Sequence, residues 1–364
     1  MRILFIAPIA PPVDGQSKAS TLLLNKLYEK CNDISVVSLN KKVFRNNSLN
    51  ITRIYEIIKV LYKVNRLKHN NDLIYISIAE SFFGNIRDLL IYTLCYKYRS
   101  KIVIHMLGGA GMKKIIGSNK IFYRLNKFFI KDFLAVLVEG THNVPIFTQL
   151  ISRKKIHIVP NFADDFLIST NEEIEGKLDN INIINILYLS NLLPGKGYEE
   201  LIDGFSLLDP LIRENFKLTF VGSFESSYAE KLFMEKIQGF ENVKYLGRFV
   251  DGIDKRDLYL NSHIFCLPTY YPYEGQPISI LEAYATGCVV ITTNHSGIPY
   301  IFKDGINGFF VEPKSKYAIK DLLTELLNKK GLFLEIALNN RNEVIEKYRT
   351  TIYLSNIENI LNTR

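Results

Sequence analysis

Glu274 and Glu282 stand eight positions apart in PTYYPYEGQPISILEAYATG, residues 268–287, with Pro277 between them. Proline has no N–H to leave orphaned, so it suits the first position of a helix, and Gly287 suits the residue just past the end. A helix is therefore expected from about Pro277 to Thr286. Its positive end carries the free amides of Gln276, Ile278 and Ser279, a place suited to phosphate. Glu274 and Gly275 lie just outside that end, and Glu282 lies about 7 to 8 Å further along the axis. A carboxylate, an amide cluster and a second carboxylate thus occur in a line that matches the sugar hydroxyls, diphosphate and ribose diol of a nucleotide-activated sugar. Either Glu alone reads as a solvated charge. Paired carboxylates also serve glycoside hydrolysis, which has no use for an amide cluster.

The E-x7-E pair inside EGQPISILEAYATG, the following Gly297-Ile298-Pro299 turn and the DGINGFFVEP tail resemble the donor site of the retaining glycosyltransferases of family 4. The resemblance implies the GT-B architecture, with Glu274 beside the donor sugar and Glu282 on the ribose. Tyr300 stands where that family usually has Glu.

Each residue needs a strand end or a loop to present it. Residues 2–7 read as a strand, Ser20 to Lys30 as a helix, and Gly15 and Gln16 lie in the turn between them. In the family a glycine loop at this place lies beside the donor diphosphate. KIVIHMLGG, residues 101–109, sets His105 at a strand's carboxyl end, where open parallel sheets bind ligands. A lone His there is also a common structural hydrogen-bonder, and the resemblance assigns it to the donor sugar. Further strands are read at 34–38, 73–78, 135–138 and 156–160.

After a polar, acid-rich segment at 163–182 the alternation restarts. The strand 184–189 ends at Ser190-Asn191, where relatives carry Gly-Arg, and Lys196 follows in a Lys-Gly loop before a helix near Tyr198. The resemblance makes Lys196 the diphosphate cation. Gly222 ends the next strand, and Gly247 to Val250 follow another, where the family contacts the base; Arg248, Phe249 and Val250 complete that set. Lys316 to Lys329, Phe333 to Tyr348 and Thr351 to Leu361 read as helices.

The 364 residues suffice for two domains, 47% hydrophobic and 23% charged residues are globular values, and no apolar run reaches the length of a membrane span. Pro8, Pro11 and Pro12 interrupt the apolar start, which is read as a strand and not a secretion signal. The cysteines, Cys31, Cys95, Cys266 and Cys288, fit no metal spacing. Charge is uneven: residues 1–165 carry 25 Lys and Arg against 11 Asp and Glu, a net of +14, which leaves 20 against 26 for the remainder. Lys113, Lys114, Lys120, Arg124, Lys127 and Lys131 are interleaved with Ile115, Ile116, Ile121, Phe122, Phe128 and Phe129, the pattern of a helix lying on an anionic membrane, or of an ordinary surface helix with its apolar face on the core. No recognised nucleic-acid motif accompanies these charges.

The expectation is an α/β protein of GT-B class, two doubly wound, Rossmann-like parallel-sheet domains facing an interdomain cleft: an acceptor and membrane-facing domain over 1–165, a donor domain over 166–348, and a crossing helix over 349–364. The expected activity is retaining transfer of a sugar, an N-acetylhexosamine by guess, from a UDP-sugar to a polyprenyl-diphosphate-linked saccharide at the inner membrane face, in O-antigen or capsule assembly. His105 and Glu274 are the catalytic candidates. No cofactor or metal is expected, since no Asp-x-Asp lies at a strand end, and no nucleic acid. A binding protein without turnover is the non-enzymatic alternative.

Overall fold

A computed structural model describes residues 1–11, 13–30, 33–39, 51–109, 111–247 and 250–362, with 51–53 given by backbone alone. The chain divides into two units, Met1–Pro160 with Leu354–Arg364, and Asn161–Tyr353. The sequence reading set these points at 165 and 348.

The first unit is built on six parallel strands, β1 (Arg2–Ala7), β2 (Asp33–Ser38), β3 (Leu73–Ser77), β4 (Ile102–Met106), β5 (Ala135–Val138) and β6 (Ile156–Ile158), in the order β2-β1-β3-β4-β5-β6. Helices cover both faces of such a sheet, which is why β3, β4 and β5 are near-continuous apolar runs, interrupted only by Ser77 and His105, and are buried along their whole length. Strand order reverses between β1 and β3, so the loops after these two strands diverge and leave a crevice at their carboxyl ends.

The first helix runs from Gly15 to Lys30, five residues earlier than expected. Its start is set by a reciprocal cap: the Ser17 N–H donates to Asp14 Oδ1 at 2.7 Å and the Asp14 N–H donates to Ser17 Oγ at 2.8 Å. The cationic stretch read as one helix is two, Gly111–Ser118 and Lys120–Ile130. Asn119 separates them, its side chain accepting from the amides of Ile121 and Phe122 at 2.8 and 3.3 Å, which caps the second helix.

The second unit carries β7 (Ile184–Leu189), β8 (Phe216–Val221), β9 (Val243–Tyr245), β10 (Ile264–Leu267), β11 (Val289–Thr292) and β12 (Gly308–Phe310), all parallel, in the order β12-β11-β10-β7-β8-β9. The order reverses between β7 and β10, the topology of dinucleotide-binding sheets. The helix Ile278–Ala285 follows β10, with Pro277 as its cap residue rather than its first helical position. Ile280, Leu281, Ala283, Tyr284 and Ala285 are fully buried. A helix that is apolar almost all round belongs in a core, and Glu282 is carried inside with it. The stretch read as one helix over 333–348 ends at Glu343 and closes with a π-helical turn at Val344–Tyr348.

Candidate functional site

In the second unit the loops after β7 and β10 meet at the reversal point. The Tyr270 N–H donates to the Gly195 carbonyl at 2.7 Å. Gly197 has φ +84°, and a Cβ there would lie 2.3 Å from the Pro268 carbonyl oxygen, so only glycine lets the loops approach this closely. The result brings Lys196 Nζ to 2.8 Å from Glu274 Oε2, while Thr269 Oγ1 donates to the same oxygen at 2.9 Å. The ammonium also lies 5.0 Å from the Tyr271 ring centroid. Two residues singled out separately in the sequence are thus one ion pair. A carboxylate buried to 7% exposure needs a cation, and Lys196 supplies it. An ammonium has three donors, so this one can serve an incoming phosphate as well.

The helix start is less open than expected. Gly275, Gln276, Pro277 and Ile278 are all buried. Asn161 clasps the segment, its N–H donating to Gln276 Oε1 at 3.1 Å and its Nδ2 to the Gln276 carbonyl at 2.8 Å. Glu282, 4% exposed, does not join Lys196. Its Oε1 accepts from Lys255 Nζ at 3.0 Å and its Oε2 from the Tyr259 hydroxyl at 3.1 Å. Asp164 and Asp251 crowd the same ammonium at 3.3 and 3.1 Å, and these carboxylates hold Lys255 protonated, its pKa raised despite its burial.

Around them, Asn191 is exposed, and the Ser190 N–H donates to the Val221 carbonyl at 3.1 Å. Gly222 packs against the Ser190 carbonyl, where a Cβ would lie at 1.9 Å. Val250 is half-buried against the core. Arg248 and Phe249 lie outside the described residues.

In the first unit the reversal point gathers Gln16, whose Nε2 donates to Ser77 Oγ at 2.9 Å and to the Ile78 carbonyl at 3.0 Å. Gly15 and Gln16 therefore sit in the first helical turn and not in a loop. His105 is fully buried, with Nδ1 2.7 Å from the Tyr75 hydroxyl, and burial pushes its pKa down to about 3. It is a neutral imidazole at ordinary pH. Sequence reading passed over Glu80, three residues past β3. Its carboxylate accepts from the amides of Gly109 and Gly111 at 3.0 and 3.2 Å, which ties down the loop that follows His105. Burial raises its pKa to about 7, against the opposing pull of those amides. An acid just beyond a buried strand was the available signal.

Lys113, Lys114, Lys120, Arg124, Lys127 and Lys131 are all exposed. Beside them Ile121, Leu125 and Phe128 are 64%, 41% and 48% exposed, while Ile115, Ile116 and Phe129 are buried. Among the described residues no helix is long and apolar enough to cross a membrane.

Residues 171–350 match the family model described as glycosyl transferases group 1. Over 358 residues the chain is 25% identical to the capsular polysaccharide biosynthesis glycosyltransferase CapM of Staphylococcus aureus, covering 93% of this chain and 91% of that one. It is 26% identical over 188 residues to the N,N'-diacetylbacillosaminyl-diphospho-undecaprenol alpha-1,3-N-acetylgalactosaminyltransferase of Campylobacter jejuni, covering 51% of this chain and 46% of the relative. Among solved structures, Anabaena HepE in complex with UDP-glucose matches over 100% of both chains with a TM-score of 0.72 at 16% identity.

Proposed function

The chain has the GT-B fold and belongs, through residues 171–350, to the glycosyl transferases group 1 family, and from that premise we propose that it moves a sugar from a UDP-sugar to a lipid-linked saccharide in the assembly of a capsular or O-antigen polysaccharide. The observation that carries the donor reading is the Lys196–Glu274 pair, 2.8 Å apart at the reversal point of a dinucleotide-type sheet, next to the start of a buried helix. A donor would enter between partners the chain already holds together: Lys196 turns to the diphosphate and Glu274 to the sugar hydroxyls. The first-turn amides of Ile278 and Ser279 and the ammonium meet the leaving-group charge, with no metal called for. Glu282 takes the ribose. His105 keeps the role its family resemblance gives it, acting on the donor sugar through a neutral ring and not through a proton. Retention of stereochemistry rests on the same resemblance.

UDP as the nucleotide is supported by the UDP-glucose complex of HepE. The relative that acts on a diphospho-undecaprenol acceptor supports a polyprenyl-diphosphate-linked saccharide and an N-acetylhexosamine donor. CapM supports capsule assembly. The exposed cations and apolar residues of the helix Lys120–Ile130 support docking on the anionic face of a membrane.

Screening UDP- and GDP-sugars by thermal shift tests the donor, since a ligand that binds only the folded state raises the melting temperature by mass action. UDP and one UDP-sugar are expected to stabilise the protein, UDP release is expected to follow addition of a lipid-linked acceptor, and Glu274→Ala is expected to cut turnover by about 10²-fold or more. Full turnover in that variant, or stabilisation by no nucleotide sugar, overturns the reading.

A further inference from the structure

Lys255 is 1% exposed on the helix Gly252–Leu260, and Tyr259 follows it one turn later on the same face. Together they donate to the two oxygens of Glu282, Lys255 to Oε1 and Tyr259 to Oε2. Three carboxylates, those of Glu282, Asp164 and Asp251, surround the one ammonium, and the Phe166 ring centroid lies 5.9 Å from it. Stability alone is a poor reason for this arrangement. Burying an ion pair costs several kcal/mol of desolvation, and an apolar pair of equal volume is often as stable or more so. What the arrangement does accomplish is geometric: hydrogen bonds to both oxygens restrain the carboxylate from rotating.

We propose that Lys255 is a positioning residue for nucleotide recognition, which with Tyr259 sets the orientation of the Glu282 carboxylate toward the vicinal hydroxyls of a ribose. The inference rests on the reading of Glu282 as the ribose ligand. An ionised carboxylate accepts about four hydrogen bonds in all, and a vicinal diol supplies two. Both hydroxyls can be met at once only if the plane of the carboxylate is fixed. Lys255 therefore contributes to the preference for ribonucleotides over deoxyribonucleotides without touching the nucleotide.

The test is calorimetric binding of UDP and 2′-deoxy-UDP to the full chain and to Lys255→Met, Lys255→Arg and Tyr259→Phe. The parent is expected to prefer UDP by about tenfold or more, the size of one hydrogen bond to a charged group. Lys255→Met is expected to lose most of that preference through weaker UDP binding, with affinity for 2′-deoxy-UDP changed less than about twofold, and Lys255→Arg to restore at least part of it. If Lys255→Met does not fold, Tyr259→Phe carries the test, with a partial loss of preference expected. A folded Lys255→Met that keeps the full preference, or weakens both nucleotides equally, overturns the proposal and leaves Glu282 on the ribose. A parent that binds UDP and 2′-deoxy-UDP equally removes the ribose reading itself, and this proposal with it.

Discussion

Replacing Lys196 by Met isolates the interaction on which the donor reading depends. The ammonium and the Glu274 carboxylate are 2.8 Å apart, with side chains 15% and 8% exposed. At an effective dielectric constant of about 20 the Coulomb attraction is about 6 kcal/mol, an upper bound before desolvation is subtracted. Removing one partner of a pair this buried strands the other charge, at a cost of about 3 to 5 kcal/mol. Thr269 still donates to Glu274 in the variant, which favours the lower end of that range. Lys196→Met is thus expected to destabilise the second unit by about 3 kcal/mol, or roughly 6 to 12 °C of melting temperature for a unit of this size. Glu274→Gln leaves an ammonium that can turn to solvent, and is expected to cost about 1 to 2 kcal/mol. The double variant should then be milder than the sum of the two, with a coupling of about 2 kcal/mol. Thermal and urea unfolding of the four proteins measure the cycle. Coupling below about 0.5 kcal/mol would mean that the pair behaves as a solvated surface contact, and the preformed charge site at the β7/β10 reversal would be refuted.

Two further outcomes follow from groups in the first unit. The Glu80 carboxyl is raised from 4.5 to about 7, chiefly by burial, so the folded state binds this proton more tightly than the unfolded chain. Its contribution to stability is therefore complete below about pH 4.5 and lost as pH rises through about 7. His105 and His142, lowered by burial to about 3 and about 4, act in the opposite sense, losing stability as pH falls below 6.5. Subtracting the parent's melting curve from that of Glu80→Gln cancels the histidines, and the variant's relative stability is expected to grow between about pH 5 and pH 8, by at most about 3 kcal/mol; a flat difference would refute the shift. For the cationic helices, Lys120→Glu with Lys127→Glu is expected to weaken binding to phosphatidylglycerol vesicles at low salt by about 30-fold or more, at about 1 kcal/mol for each cation lost. Unchanged flotation of that variant would remove the membrane reading.

The central strands were legible because they are largely apolar runs stopped by Pro, Gly or a polar residue, and a parallel sheet buried on both faces demands such runs. The helix Ile278–Ala285 was legible from Pro277 and Gly287, whose backbone constraints act locally. The early start of the first helix was not, because Asp14 and Ser17 cap each other with side chains that also read as loop formers beside Pro11 and Pro12. β11 and β12 went unassigned, although they are no shorter than β5 and β6, which were read. The partners of the two acids were hidden for a different reason. Lys196 lies 78 residues from Glu274 and Lys255 lies 27 residues from Glu282. Contacts over such separations come from strand order and not from spacing. Lys255 was further disguised by its type, since a lysine in DGIDKRDLYL looks like one more solvated charge until the helix is seen to turn it inward. Glu80 was missed because it stands alone, with amides for partners, and amides leave no mark in a sequence.

The discontinuity of the first unit has a consequence for biosynthesis. Residues 1–160 are complete long before residues 354–364, which bring Glu358 to Lys30 at 2.8 Å and carry the buried Ile357 and Leu361. At translation rates of about 5 to 20 residues per second, the interval is roughly 10 to 40 s. Throughout that time the amino-terminal half waits on the ribosome without its last piece, while the apolar surface meant for that piece is open to chaperones and to neighbouring nascent chains.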